Sequence, residues 1–196
     1  MEVIYLETKK LNINDNHCKL FLKIINREEY KKINKFKFLK DKKLSLASLM
    51  LQYYILNLNN INFNIQKSKY GKPFVTGLNY NVSHDNDICV IVSSKKYLVG
   101  IDIMSINRNL NISLKKVFLT DKEILKVKSK LDLISFWCLK EAYLKAIGLG
   151  LNYNLKDLEF KICKDNIKLY VKNVLQSNWN FKLQYLKKYI IAIAFK

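Results

Sequence analysis

FWCLKEAYLKAIGLGL, the stretch from Phe136 to Leu151, carries two interleaved patterns. Trp137, Glu141 and Lys145 recur every four residues, so an α-helix turns all three toward one side. Cys138, Ala142, Ala146 and Leu149 form a small apolar stripe beside them that packs inward. Gly148 and Gly150 end the helix, because glycine tolerates the positive φ found at helix C-termini. Such a helix can carry a carboxylate, an ammonium and an indole into one site. The same spacing also fits an exposed i,i+4 ion pair, worth about 0.3–0.5 kcal/mol.

Upstream, YLVGIDI from Tyr97 to Ile103 reads as a nearly unbroken apolar strand with one glycine and one carboxylate, Asp102. An acid within a buried strand is costly unless it is paired or holds a metal. Glu141 together with a divalent cation would supply that partner.

VGID at Val99–Asp102 and FWCLKEAYLK at Phe136–Lys145 resemble the two signature segments of the 4′-phosphopantetheinyl transferases. These are a strand end of the form Val/Ile-Gly-Ile/Val-Asp and a helix of the form Trp-x-x-Lys-Glu-Ala/Ser-x-x-Lys. YGKPF at Tyr70–Phe74 and NVSH at Asn81–His84 are similar to further pieces of the surfactin-synthetase-activating type. Phe118 and Glu123 fit its Phe-x-x-x-x-Glu pattern. The resemblance implies an α+β fold of two similar subdomains in a pseudo-twofold arrangement. Residues 1–96 would contribute to coenzyme A binding, and residues 97–196 would carry the metal site and catalytic helix.

The implied reaction moves the 4′-phosphopantetheine group of coenzyme A to a serine of an apo acyl or peptidyl carrier protein. Mg²⁺, with Mn²⁺ as an alternative, would be held by Asp102 and Glu141, hard oxygen ligands suited to it. Glu141 would also accept the serine proton, and Lys145 would neutralise charge on the pyrophosphate. Lys43, Lys72, Ser83, His84 and Lys145 would contact the coenzyme. One departure stands out: many relatives place a carboxylate two residues after the aspartate, where this chain has Met104. A thioether is a poor Mg²⁺ ligand, so water is expected in that position.

Composition sets outer bounds. The 196 residues carry 35 Lys and Arg against 16 Asp and Glu, a formal net charge of +19, which makes an acidic partner plausible. Lys, Asn and Ile are abundant together, so coding bias contributes as well. No run of about 18 apolar residues occurs and the N-terminus lacks a signal-peptide core. A cytoplasmic protein without membrane or nucleic-acid partners is expected, a monomer of pseudo-dimeric build. Cys18, Cys89, Cys138 and Cys163 are too scattered for a zinc site or a disulfide frame. Two competing readings are a basic nucleic-acid-binding module, motivated by charge and by abundant Tyr and Phe, and a catalytically silent relative that only binds carrier proteins.

In chain order, a strand is expected at Val3–Leu6, a helix at Cys18–Ile25, and a basic helix or pair of turns at Arg27–Phe38. Asp41 reads as the N-cap of a long helix to about Leu58, burying Leu44, Ala47, Leu51, Tyr54, Ile55 and Leu58. Ile88–Ser93 pairs with Tyr97–Ile103 in a hairpin. Thr120-Asp121-Lys122-Glu123 spaces a capping box that opens a helix towards Lys130. Two more hairpins follow, turning at Lys164-Asp165-Asn166 and at Lys187-Lys188.

Overall fold

The computed structural model describes residues 1–110, 112–163 and 166–196. Its first elements are β1 (Glu2–Glu7), α1 (Asn16–Ile24), α2 (Arg27–Asn34) and α3 (Leu39–Leu58). The short β2 (Gln66–Lys67) and β3 (Pro73–Phe74) precede β4 (Asn79–Asp85), β5 (Ile88–Ser94) and β6 (Val99–Ser105). Then come α4 (Lys115–Phe118), α5 (Asp121–Ile124), α6 (Lys130–Ile147), β7 (Leu158–Cys163), β8 (Asn166–Val171), β9 (Val174–Leu175), β10 (Asn180–Leu186) and β11 (Tyr189–Phe195). The class is α+β, as expected, with antiparallel sheets throughout.

Two three-stranded sheets form the frame, ordered β1-β5-β4 and β10-β11-β6. Helix α3 packs on the first and α6 on the second. Under α3, Ala47, Leu51 and Ile55 meet Tyr80 and Ile91; under α6, Leu139 and Leu144 share a core with Phe118, Phe160 and Ile190. A third apolar layer joins the sheets, with Val90 and Val92 against Ile101, Ile103, Ile191 and Ile193. β5 and β11 are apolar on both faces: alternate residues enter this layer and those between them pack under α3 or α6.

Several expected boundaries shift. Helix α3 begins at Leu39 after Phe38, and Asp41 sits in its first turn instead of capping it, favourable there for the helix dipole. Its buried face also turns: Tyr54 and Leu58 are exposed, while Leu46, Gln52, Tyr53 and Leu56 go inside. The strand expected from Tyr97 starts at Val99 and pairs with β11, so it makes no hairpin with β5. Thr120 does form its capping box, yet α5 stops after four residues, and a second box from Ser129 and Asp132 opens α6. At the β7–β8 turn, Lys164 and Asp165 lie outside the described residues.

Gly100 explains why β6 and α6 approach so closely. A Cβ there would stand 2.1 Å from the carbonyl oxygen of Ala142 and 2.5 Å from the amide nitrogen of Ala146. Both are helix backbone atoms that cannot move aside alone. Gly100→Ala is therefore expected to push α6 off β6, with a cost of about 1–3 kcal/mol or more, seen as a lowered melting temperature. Wild-type stability in this variant would mean that the helix has room to retreat.

Candidate active site

Strand β4 shares no ladder with β6; side chains close the gap instead. Asn81 Oδ1 accepts from the Ile101 amide at 2.9 Å, and Asp85 Oδ2 accepts from the Ser105 amide at 2.7 Å. Midway between them Ser83 donates to Asp102 Oδ1 at 2.9 Å. Asn81, Ser83 and Asp85 are alternate residues on one strand face, and all three are buried. Arg108 then binds the second oxygen of Asp85 at 3.0 Å.

Helix α6 brings the other half. Lys145 donates to Asp102 Oδ1 at 2.6 Å and to Ser83 Oγ at 2.8 Å, so Ser83, Asp102 and Lys145 close a triangle. Asp102 is thus neutralised by the ammonium, where the sequence pointed to Glu141 and a cation. Glu141 is 9% exposed, and among the described residues its Oε1 is a buried atom with no hydrogen-bond partner. Burial first, then the Asp102 charge, pushes its carboxyl up to about 7, against a smaller opposing effect of Lys145. Trp137, expected beside these groups, instead packs edge-on against Phe118, with ring centroids 5.0 Å apart.

His84, one residue from Ser83, stands where two cavities adjoin. One, of about 620 Å³, is lined by Lys32, Ser45, Gly71 and Pro73; the other, of about 1030 Å³, by Lys40, Lys43, Arg108 and Lys188. Ser83, Asp102 and Lys145 are gathered at one place with Glu141 beside them on α6, whereas His84, on the opposite face of β4, lines both cavities and Lys43 lines the larger. Lys72 departs from the expectation. Its ammonium donates to the carbonyl of Ala146 at 2.6 Å, where a cation complements the helix C-terminus, and burial lowers it to about 8. It lines a separate cavity of about 400 Å³ with Ser68, Gly148 and Leu149. Met104 is 5% exposed and belongs to the core under α6, so its side chain is packing. Among the described residues no group of three His, Cys, Asp or Glu gathers to hold a metal.

Sequence reading missed Asn81 and Asp85, although small polar residues at every second position of a strand were their signal. It also passed over Lys140, which is 1% exposed and bound to Glu123 at 2.6 Å.

The Glu141 carboxyl gives stability a defined pH dependence. Its folded value of about 7 exceeds the ordinary 4.5, so the unfolded chain loses this proton first. The contribution is complete below about pH 4.5 and is lost as pH rises through about 7. Compared with Glu141→Gln, the metal-free protein is expected to lose roughly 2–3 kcal/mol between pH 5 and 8. Denaturant melts of both proteins across that range test it; parallel curves would mean that Glu141 is solvated.

Residues 12–96 match the family described as "4'-phosphopantetheinyl transferase, N-terminal", and residues 98–194 match the "4'-phosphopantetheinyl transferase superfamily". The chain is 31% identical over 168 residues to the L-aminoadipate-semialdehyde dehydrogenase-phosphopantetheinyl transferase of Xenopus laevis, covering 73% of this chain and 56% of that protein. It is 32% identical over 158 residues to the 4'-phosphopantetheinyl transferase gsp of Aneurinibacillus migulanus, covering 74% and 66%. The chain therefore spans little more than half of the frog protein's length. A holo-(acyl-carrier-protein) synthase from Bacillus anthracis, solved in complex with CoA, aligns at 21% identity with a TM-score of 0.42, covering 50% of this chain and 92% of that one. Among the described residues no helix is long and apolar enough to cross a membrane.

Proposed function

The chain belongs to the 4′-phosphopantetheinyl transferase superfamily, and on that premise we propose that it transfers the 4′-phosphopantetheine arm of coenzyme A to a carrier-protein serine. The other product is adenosine 3′,5′-bisphosphate. One observation carries this reading: Glu141, a buried carboxylate whose Oε1 has no hydrogen-bond partner among the described residues, beside an aspartate–lysine pair at a strand end. A structural acid would be satisfied; one left unsatisfied is held ready for something that arrives.

The donor set fits Mg²⁺, or Mn²⁺ in its place. Asp102 and Glu141 offer hard oxygens, and Mg²⁺ is commonly held by one or two carboxylates together with substrate phosphates and waters. When bound, the ion supplies neutralising charge for the pyrophosphate. Glu141, with a carboxyl value near 7, is suited to accept the proton of the attacking serine near neutral pH. Lys145 stabilises charge developing on the leaving phosphate. Ser83 orients both Lys145 and Asp102, His84 reaches the coenzyme from the cavity mouth, and Lys43 lies across from it. The same proposal divides the chain near residues 96 and 97 and gives the first part the coenzyme cleft. It also assigns a cytoplasmic monomer and an acidic carrier, for which the +19 charge provides long-range attraction.

A nucleic-acid-binding role leaves the Ser83–Asp102–Lys145 triangle and Glu141 without a purpose, and a silent relative would have no need to keep a buried acid unsatisfied. The test is incubation with coenzyme A, Mg²⁺ and an apo carrier protein, followed by mass spectrometry of the carrier. A phosphopantetheine adduct on serine is expected. Carriers of several classes all remaining unmodified would overturn the proposal.

A further inference from the structure

Lys145 occupies one of the two carboxylates named above as metal ligands. Its ammonium lies 2.6 Å from Asp102 Oδ1 and is fixed from the side by Ser83 at 2.8 Å. A divalent cation on that oxygen would sit beside a like charge. Glu141 is on the same helix, four residues away, and yet receives no hydrogen bond from this ammonium. Charge in the free site is thus unevenly shared: Asp102 is neutralised and Glu141 is not.

The two lysines of α6 differ in how firmly they are held. Lys140 is 1% exposed and donates to three backbone carbonyls and a carboxylate. The Lys145 side chain is 27% exposed, and the contacts described for it are the two within the triangle. It can therefore leave Asp102 for another anion on its solvent-exposed side. Position 104 reinforces its hold, because a carboxylate there would compete for metal, whereas the Met104 thioether is packed in the core.

We propose that Lys145 locks the metal site of the free protein. Its ammonium stands in for a divalent cation on Asp102, and a pyrophosphate entering the cleft draws it away and opens the site. Metal and coenzyme then bind with positive coupling, and by reciprocity each tightens the other. This inference rests on the reading of Asp102 and Glu141 as metal ligands, and the experiment separates the two.

Mn²⁺ is titrated into the full chain, with free ion followed by spin resonance, for wild type and Lys145→Met, each with and without coenzyme A. Without coenzyme, Lys145→Met is expected to bind Mn²⁺ at least about tenfold more tightly than wild type. Coenzyme A chelates metal itself, so it tightens binding to both proteins, but by a larger factor for wild type. Lys145→Gln, which keeps a neutral donor, is expected to move the same way by less, and circular dichroism checks the fold of each variant. Equal or weaker binding by Lys145→Met and Lys145→Gln overturns the lock. Combining Lys145→Met with Asp102→Asn or Glu141→Gln tests the site. If the tight binding disappears, the ligand assignment stands whatever the fate of the lock. If Mn²⁺ binding is indifferent to both, the ion sits elsewhere and the metal-site reading falls with it.

Discussion

Glu141→Gln is expected to lower the rate of phosphopantetheine transfer by about a hundredfold or more while leaving the protein at least as stable as wild type at pH 8. The two effects have one origin. An ionised carboxylate buried without a partner opposes folding, and it is tolerated where its charge is needed by the reaction. Glutamine removes the charge and keeps the shape. Asp102→Asn is expected to cost a similar factor in rate but with the opposite effect on stability, since Lys145 and Ser83 both bind Asp102 Oδ1. Initial rates measured by mass spectrometry and thermal melts of both variants separate these outcomes. A Glu141→Gln protein that melts well below wild type would identify the residue as structural and remove it from the mechanism.

Much of this site could be read from residue types and spacing, for identifiable reasons. A helix period is enough to place Glu141 and Lys145 on one side of α6, and a carboxylate in an apolar strand is conspicuous by its cost. What spacing does not show is which atoms meet across elements. Asp102 found Lys145 because Gly100 lets the helix backbone come within reach of β6, a distance set by tertiary packing. Glycine and proline around Lys72 indicate only a turn, and its place at the coenzyme is what the family resemblance implies; spacing does not show that its ammonium reaches the end of α6. On α3 the helix was correct and its inward face was not, because a helix apolar on most sides has no unique periodic stripe. There Tyr53 is inside, accepted by Glu29 at 3.0 Å, while Tyr54 faces water.

Lys140 is the position where residue type misleads most, since lysine reads as surface. Its ammonium donates to the carbonyls of Phe118, Leu155 and Leu158 at 2.7 to 2.9 Å and to Glu123 Oε2 at 2.6 Å. Glu123 in turn accepts from the amides of Thr120 and Phe160 at 2.9 and 2.8 Å. Burial pushes Glu123 up and Lys140 down, and each opposes that shift in the other. Chain ends from α4, α5 and β7 therefore converge on one nitrogen carried by α6, next to Glu141. Lys140→Met keeps the length and volume but takes the ammonium from a buried carboxylate, which then keeps only the amides of Thr120 and Phe160, and from three carbonyls, of which Leu155 keeps the Leu158 amide. It is expected to cost about 3–5 kcal/mol, a fall in melting temperature of roughly 10 °C. Adding Glu123→Leu should recover only part of this, because the double variant still strands the backbone groups that an isolated ion pair would not involve. Transfer activity of Lys140→Met, measured well below its melting temperature, is expected to fall less than that of Glu141→Gln, since Lys140 holds the helix and Glu141 is the proposed metal ligand and proton acceptor. A Lys140→Met protein melting within a degree or two of wild type would show that the buried ammonium contributes nothing net to the fold.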